Sequence, residues 1–208
     1  VIAKIIRPET DDPVTMGTVK VAIEKQHANA IDAAASGAGD GLRLALNVAG
    51  MLIAFIAIVA LLNALLLWFG GITALNGFTQ TQFGQPLSME LIFGLVFQFI
   101  AFAIGVPWHE AMQVGSLMGI KLVLNEFVAY LKMADAIAAH QISARSIVIA
   151  TYALCGFANI SSIAIQIGGI GPLAENRRGD IARLGVKAVL GGTLATWMTA
   201  SIAGLFVN

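Results

Sequence analysis

Charge is what this chain has least of. Only 12% of its 208 residues are Asp, Glu, Lys or Arg, about half the share of a soluble domain. From Leu44 to Met89 there are none. Basic and acidic residues balance at 12 each, so nothing points to nucleic acid as a partner. One cysteine, Cys155, excludes an internal disulfide and says little about redox compartment. His109-Glu110 opens like a zinc-protease motif, but Ala111-Met112-Gln113 follows and no second histidine stands at the required spacing. No metal site or cofactor is expected on this chain. Gly168-Gly169-Ile170-Gly171 lacks the Lys-Ser/Thr of a phosphate loop and reads as a helix terminator.

What fills the chain is apolar: 58% of residues are hydrophobic and mean hydropathy is +0.83. That composition predicts an all-α integral membrane protein with several passes of the cell (plasma or inner) membrane. Val1-Ile2-Ala3-Lys4-Ile5-Ile6 has neither an initiator Met nor a signal peptide. It reads as the tail of a helix, and the chain as part of a longer protein. Residues 1–43 are therefore taken as the end of a preceding helix plus a cytoplasmic connection. Arg7 to Pro13 forms a turn there, and residues 27–42 a helix at the membrane surface.

Residues 44–69 predict a tilted transmembrane helix, longer than the ~20 residues a span needs. Asn47 and Asn63 within it suit interhelical hydrogen bonds. Residues 70–86 read as a loop. Lys4, Arg7, Lys20, Lys25 and Arg43 precede the helix, which puts residue 43 in the cytoplasm and the loop outside. The apolar run 87–106 ends at Pro107. Residues 108–133 carry Glu110, Lys121 and Glu126 among apolar neighbours, a poor content for a lipid-facing helix. Residues 144–170 hold Gly156, Asn159, Ser161 and Ser162 near their middle, which predicts a broken helix. Residues 180–207 form the last span, preceded by Arg177 and Arg178.

That basic cluster wants the cytoplasm, as Arg43 does, so 44–69 and 144–170 run in opposite directions. The stretch between them then adds no net crossing. The charges favour an extracellular-side interfacial helix over 87–106 and a re-entrant hairpin over 108–133.

An ionisable residue at membrane depth marks by default a substrate or ion pathway. Glu126 is such a residue. Its acceptor-only carboxylate beside the Asn125 amide suits a solute with adjacent hydroxyls. The bland alternative is an ion pair with Lys121, but five residues is not a spacing that joins side chains on a helix. Asn159 and Ser162, three apart, share a face if the turn stays helical; serines back-bonded to the helix are the alternative. Phe157 is either a stacking wall for a flat ligand or ordinary core. A different class of function, an intramembrane enzyme with Glu126 as general base, would need a nucleophile or metal beside it. His27, His109 and His140 sit in or near polar connections instead.

The same residues carry a resemblance. Gly119-x-Lys121, Asn125-Glu126-Phe127-Val128-Ala129-Tyr130, and Ala150 to Ser162 with Cys155-Gly156-Phe157-Ala158-Asn159-Ile160-x-Ser162 match segments of the concentrative nucleoside transporter family. Ile167-Gly168-Gly169, Arg177-Arg178-x-Asp180-Ile181-Ala182 and Met198-Thr199-Ala200-x-Ile202-Ala203-Gly204 extend the match, as does Ala3-Lys4 with Pro8-Glu9-Thr10. Together they cover most of the chain. The resemblance implies a homotrimeric Na+- or H+-coupled nucleoside symporter built from two inverted repeats. This chain would be the second repeat: scaffold helix 44–69, interfacial helix 87–106, hairpin 108–133, broken helix 144–170 and last helix 180–207. It further implies that Glu126, Asn159 and Ser162 bind the ribose with Phe157 against the nucleoside, Asn125 beside them. The family's base-reading first hairpin and its first broken helix have no counterpart in these residues. The coupling-ion site is therefore expected in the half not present, and base preference with it.

Overall fold

A computed structural model describes residues 1–8, 10, 27–170 and 176–207. Most of the turn expected over 7–13, the terminator at Gly171 and the side chain of Asn47 lie outside the described residues. No strand occurs among those described; the elements are helices α1 (Ile2–Ile6), α2 (Ala30–Ile72), α3 (Leu75–Phe83), α4 (Met89–Ala103), α5 (Trp108–Val123), α6 (Glu126–Ala138), α7 (Ala144–Leu154), α8 (Ile160–Ile170) and α9 (Arg178–Leu205).

The apolar run 44–69 lies inside α2, which is 43 residues long and so about 65 Å at 1.5 Å per residue. Asn29 caps its start, accepting the Asp32 N–H at 2.9 Å. The polar segment from residue 30 is thus continuous with the apolar one. Leu61, Leu65 and Trp68 on α2 are exposed, as expected of a helix that is apolar all round and meets lipid or another protein surface.

Residues 70–86 are not simply a loop, because α3 occupies most of them. The chain bends by 105° between α2 and α3, with Ala74 in the left-handed region at φ 60°. Asn76 fastens the bend: its amide donates to the Leu67 carbonyl at 2.7 Å and accepts the Leu87 N–H at 3.2 Å. Gly70 packs directly against Asn76 and leaves room for it. Thr and Gln residues hid this helix from a reading by hydrophobic period.

Asn63 ties α2 to α4. Its amide donates to Glu90 Oε2 at 2.9 Å and accepts the Met89 N–H at 2.8 Å. Ser88 caps α4 by accepting the Leu91 N–H. The chain then bends by 118° between α4 and α5, through Gly105 at φ +107° and Pro107. The two helices lie close because Gly94, Gly115 and Gly119 have no side chains. A Cβ on Gly115 would stand 2.7 Å from the Gln98 backbone nitrogen, and one on Gly119 would run into Phe93.

The core is formed where α4, α5, α6, α7 and α9 meet, with Ala101, Val114, Leu117, Met118, Ala129, Ile149, Leu154 and Ala200 all buried. Helix α9, long and apolar enough to cross a membrane over Gly179–Leu205, presents glycines to its neighbours. Gly192 faces Ala158 and Gly204 faces Ile149. Arg145 locks the base of this cluster by donating to the carbonyls of Gly105 and Val207. The arrangement holds two interrupted elements side by side: the hairpin α5–α6, and the pair α7–α8.

Candidate functional site

Both interruptions are built on asparagines. Helix α5 stops at Leu124, and Asn125 adopts extended geometry at φ −167° and ψ 173° to cap α6. Its side-chain oxygen accepts the Val128 N–H at 3.0 Å, so one face of the amide is committed to the helix. Glu126 follows as the first residue of α6, where the helix N-terminus favours a negative charge.

In the second interruption, α7 ends at Leu154 and α8 begins at Ile160. Gly156 sits against the Thr196 side chain of α9, where a Cβ would clash. Asn159, fully buried, accepts the Ser162 N–H on Oδ1 at 2.7 Å. The Ser162 hydroxyl reaches back, accepting the Asn159 N–H at 3.3 Å and donating to the Asn159 carbonyl at 2.7 Å. This is a reciprocal cap. The pair therefore does not lie along one face of a continuous helix, as its spacing predicts; the two residues are bonded to each other at a helix start. The Ser162 hydroxyl is back-bonded, as the alternative reading has it, but to the carbonyl three residues earlier at the helix start.

The interruptions touch. Asn159 Nδ2 donates to Glu126 Oε2 at 3.3 Å. Ser161 lies between the two elements, 2.7 Å from Asn159 Oδ1 and 3.3 Å from the Leu124 carbonyl. One hydroxyl proton serves one of these at a time, and the shorter distance favours Asn159. Tyr130, one turn along α6 from Glu126, donates to the Thr151 carbonyl at 2.8 Å. The Glu126 carboxylate thus stands at the N-terminus of its own helix and against the N-cap of α8. Two positive helix ends converge on it, an arrangement suited to holding a charged acceptor.

Phe157 is 52% exposed. It lines, with Ser162, Gln166, Leu184 and Thr196, an open groove of about 560 Å³ between α8 and α9, a volume in the range of small-molecule sites. Glu126 does not line this groove. The structure therefore brings Glu126, Asn125 and Asn159 together with Ser162 behind Asn159, and leaves Phe157 on the adjoining wall.

Sequence reasoning assigned no part to Tyr130, weighed Lys121 only as an ion-pair partner of Glu126, and took Ser161 only as part of the helix break. Tyr130 was legible as the residue four after Glu126, on the same helical face; Ser161 was not, because its partner Leu124 is far off in sequence. Lys121 is 2% exposed, and among the described residues its ammonium has no hydrogen-bond partner. His109-Glu110 is structural. Glu110 accepts from the Ser143 N–H at 3.1 Å and the Ser143 hydroxyl at 2.9 Å, which joins α5 to the start of α7. Among the described residues no group of three metal-ligating side chains occurs.

Comparison with known proteins follows the same outline. The family model described as "Na+ dependent nucleoside transporter C-terminus" matches residues 1–204. An uncharacterised transporter of Bacillus subtilis, YutK, is 50% identical over 208 residues, covering 100% of this chain and 49% of the relative. The nucleoside permease NupC of Helicobacter pylori is 43% identical over 209 residues, 99% of this chain and 47% of the permease. Human solute carrier family 28 member 3 is 40% identical, covering 98% of this chain and 30% of the carrier. Among solved structures, CNTnw in an inward-facing substrate-bound state aligns at 43% identity and TM-score 0.75 over 91% of this chain and 44% of that one. A CNTnw variant in an intermediate 2 state aligns at TM-score 0.82 over 99% and 47%. The chain spans about half the length of the bacterial relatives it matches.

Proposed function

Because the chain belongs to the nucleoside transporter family whose C-terminal model matches residues 1–204, we propose that it supplies the ribose-binding half of a cation-coupled nucleoside symporter. The observation that carries this reading is the bond from Asn159 to Glu126, which joins the tip of one interrupted element to the break of another. A polar solute arriving there meets the half-buried Glu126 carboxylate, with the Asn159 amide buried behind it and Phe157 on the adjoining wall. Vicinal hydroxyls fit a carboxylate because each can donate to one oxygen. Hydrogen bonds to a charged group contribute roughly 1.5–3 kcal/mol each.

Sodium is the coupling ion that the family description names; its site, or a proton site in its place, lies in this reading on the part of the transporter outside these residues. Helices α2, α4, the α5–α6 hairpin, α7–α8 and α9 act as scaffold helix, extracellular-side interfacial helix, re-entrant hairpin, broken helix and last span. They form the second of two inverted repeats in a homotrimer, with residue 43 in the cytoplasm. Transport proceeds by moving the hairpin and broken helix against the scaffold helix.

Glu126→Gln in the full-length transporter tests the reading. It is expected to weaken ribonucleoside binding at least about 10-fold, the equivalent of one charged hydrogen bond. Analogues lacking both ribose hydroxyls should change little. Equal losses for both ligands would sink the ribose role.

A further inference from the structure

The Asn159 amide has a donor end and an acceptor end, and only one way round serves the site. Turned over, it would set its oxygen against the Glu126 carboxylate, acceptor facing acceptor. What holds the amide the right way round therefore matters as much as the amide. Oδ1 receives the Ser162 N–H at 2.7 Å, and a backbone N–H can only donate, so the oxygen lies on that side. The Ser161 hydroxyl stands against the same oxygen, also at 2.7 Å. With two donors gathered on Oδ1, Nδ2 is left for Glu126 Oε2.

Ser161 is well placed for this task. It is the second residue of α8 and half-buried, while Asn159 is fully buried, so water does not replace the hydroxyl at Oδ1 without cost. Its other neighbour, the Leu124 carbonyl at 3.3 Å, belongs to the residue at which α5 ends. The hydroxyl has one proton to give, and the nearer acceptor, Asn159, takes it. Hydrogen bonds in series polarise one another: an amide oxygen that accepts makes its own N–H groups better donors. The series here runs from the Ser161 hydroxyl to Asn159 Oδ1, and from Asn159 Nδ2 to the Glu126 carboxylate.

We propose that Ser161 is a positioning residue for Glu126: its hydroxyl, bonded to Asn159 Oδ1, keeps the amide turned so that Nδ2 holds the carboxylate in place to accept from a ribose. Ser161 touches no ligand itself and acts only through Asn159. The proposal rests on the reading of Glu126 as the ribose ligand. It differs from a purely structural role, in which Ser161 would tie α8 to the hairpin through Leu124 and its loss would weaken every ligand alike.

A double-mutant cycle in the full-length transporter tests it. Affinity is measured for a ribonucleoside and for its 2′,3′-dideoxy analogue in wild type, Ser161→Ala, Ser161→Thr, Asn159→Ala, Glu126→Gln and the Ser161→Ala/Asn159→Ala double variant, with the melting temperature of each. S161A is expected to lower the ribonucleoside-to-dideoxy affinity ratio about 3- to 10-fold, the range of one neutral hydrogen bond. S161T, which keeps a hydroxyl, should stay within about 2-fold of wild type. The double variant should be no less selective than N159A alone, because without Oδ1 the hydroxyl has nothing to hold. An equal loss for both ligands in S161A, a further loss of selectivity in the N159A background, or an S161T as unselective as S161A would overturn the proposal. If E126Q itself leaves the ratio unchanged, the ribose reading falls and takes this proposal with it. An E126Q that lowers the ratio beside an S161A or N159A that does not removes the proposal alone. Should S161A fail to fold, Ser161→Cys, close in volume but a weak donor, carries the same expectations and the same overturning results.

Discussion

Asn159 combines two tasks that different atoms perform. Its Oδ1 caps α8 by accepting the Ser162 N–H, and its Nδ2 reaches Glu126. Substitution can separate them. Serine is as good an N-cap as asparagine, whereas alanine loses the cap at a cost of about 1 kcal/mol. Neither can donate an amide proton to Glu126. Asn159→Ser is therefore expected to bind ribonucleosides about 10-fold more weakly with a melting temperature near wild type. Asn159→Ala should bind as weakly and also melt lower. Paired melting and binding curves check this; an N159S variant with full affinity would show that the amide donor has no part in the site. The Asn125 oxygen is engaged with Val128, so its effect on ligand should be smaller and come through α6.

At the scale of elements, the site depends on two helices crossing without side chains between them. A Cβ at Gly115 would stand 2.7 Å and 2.9 Å from backbone atoms of Gln98 and Phe97, and backbone cannot step aside as a flexible side chain does. Gly115→Ala is accordingly expected to lower stability by about 1–3 kcal/mol, the usual cost of overpacking. Gly39→Ala in α2, where nothing lies within 4 Å, should be neutral or stabilising by up to about 1 kcal/mol, since alanine favours a helix interior over glycine. Denaturation of both variants in the same detergent compares them directly. If G115A proved as stable as G39A, α4 and α5 would not be as close as described. Asn63 plays a different part. By bonding to both Glu90 and the Met89 N–H, it fixes the start of α4 against the last third of α2.

At the scale of the whole molecule, the surface is as telling as the core. Leu61, Trp68, Leu194, Met198 and Ile202 are exposed, and an apolar groove of about 810 Å³ runs between α1 and α9, lined by Ile2, Ile6, Leu184 and Met198. Such surface belongs against lipid or more protein. The chain spans about half the length of its bacterial relatives, and on the proposed reading it holds the ribose side of the site alone. This 208-residue chain reconstituted alone is therefore expected to accumulate no nucleoside in proteoliposomes. The full-length protein should show counterflow, enhanced by an inward sodium gradient. Gradient-driven uptake by the chain alone would mean that the coupling site is on it after all.

The sequence by itself determined that this is a helical membrane protein, because a long uncharged stretch and few charges elsewhere leave no soluble alternative. It also located the breaks. Asn, Gly and Ser in the middle of an apolar helix compete with the helix for its own hydrogen bonds, and that competition is local. The motif around Glu126 pointed to a polar ligand for the same local reason. Tertiary structure alone decided what the polar residues do to one another. The 33-residue separation of Glu126 and Asn159 is bridged only once α5, α7 and α8 have packed, and the bond of Ser161 to Leu124 or of Tyr130 to Thr151 depends on the same packing. The helix over 75–83 escaped notice because a distant asparagine contact at Leu67, not hydrophobic period, holds its bend. Burial of Lys121 is of this kind too. One lysine among apolar residues looks like any other until the helices around it close over its side chain.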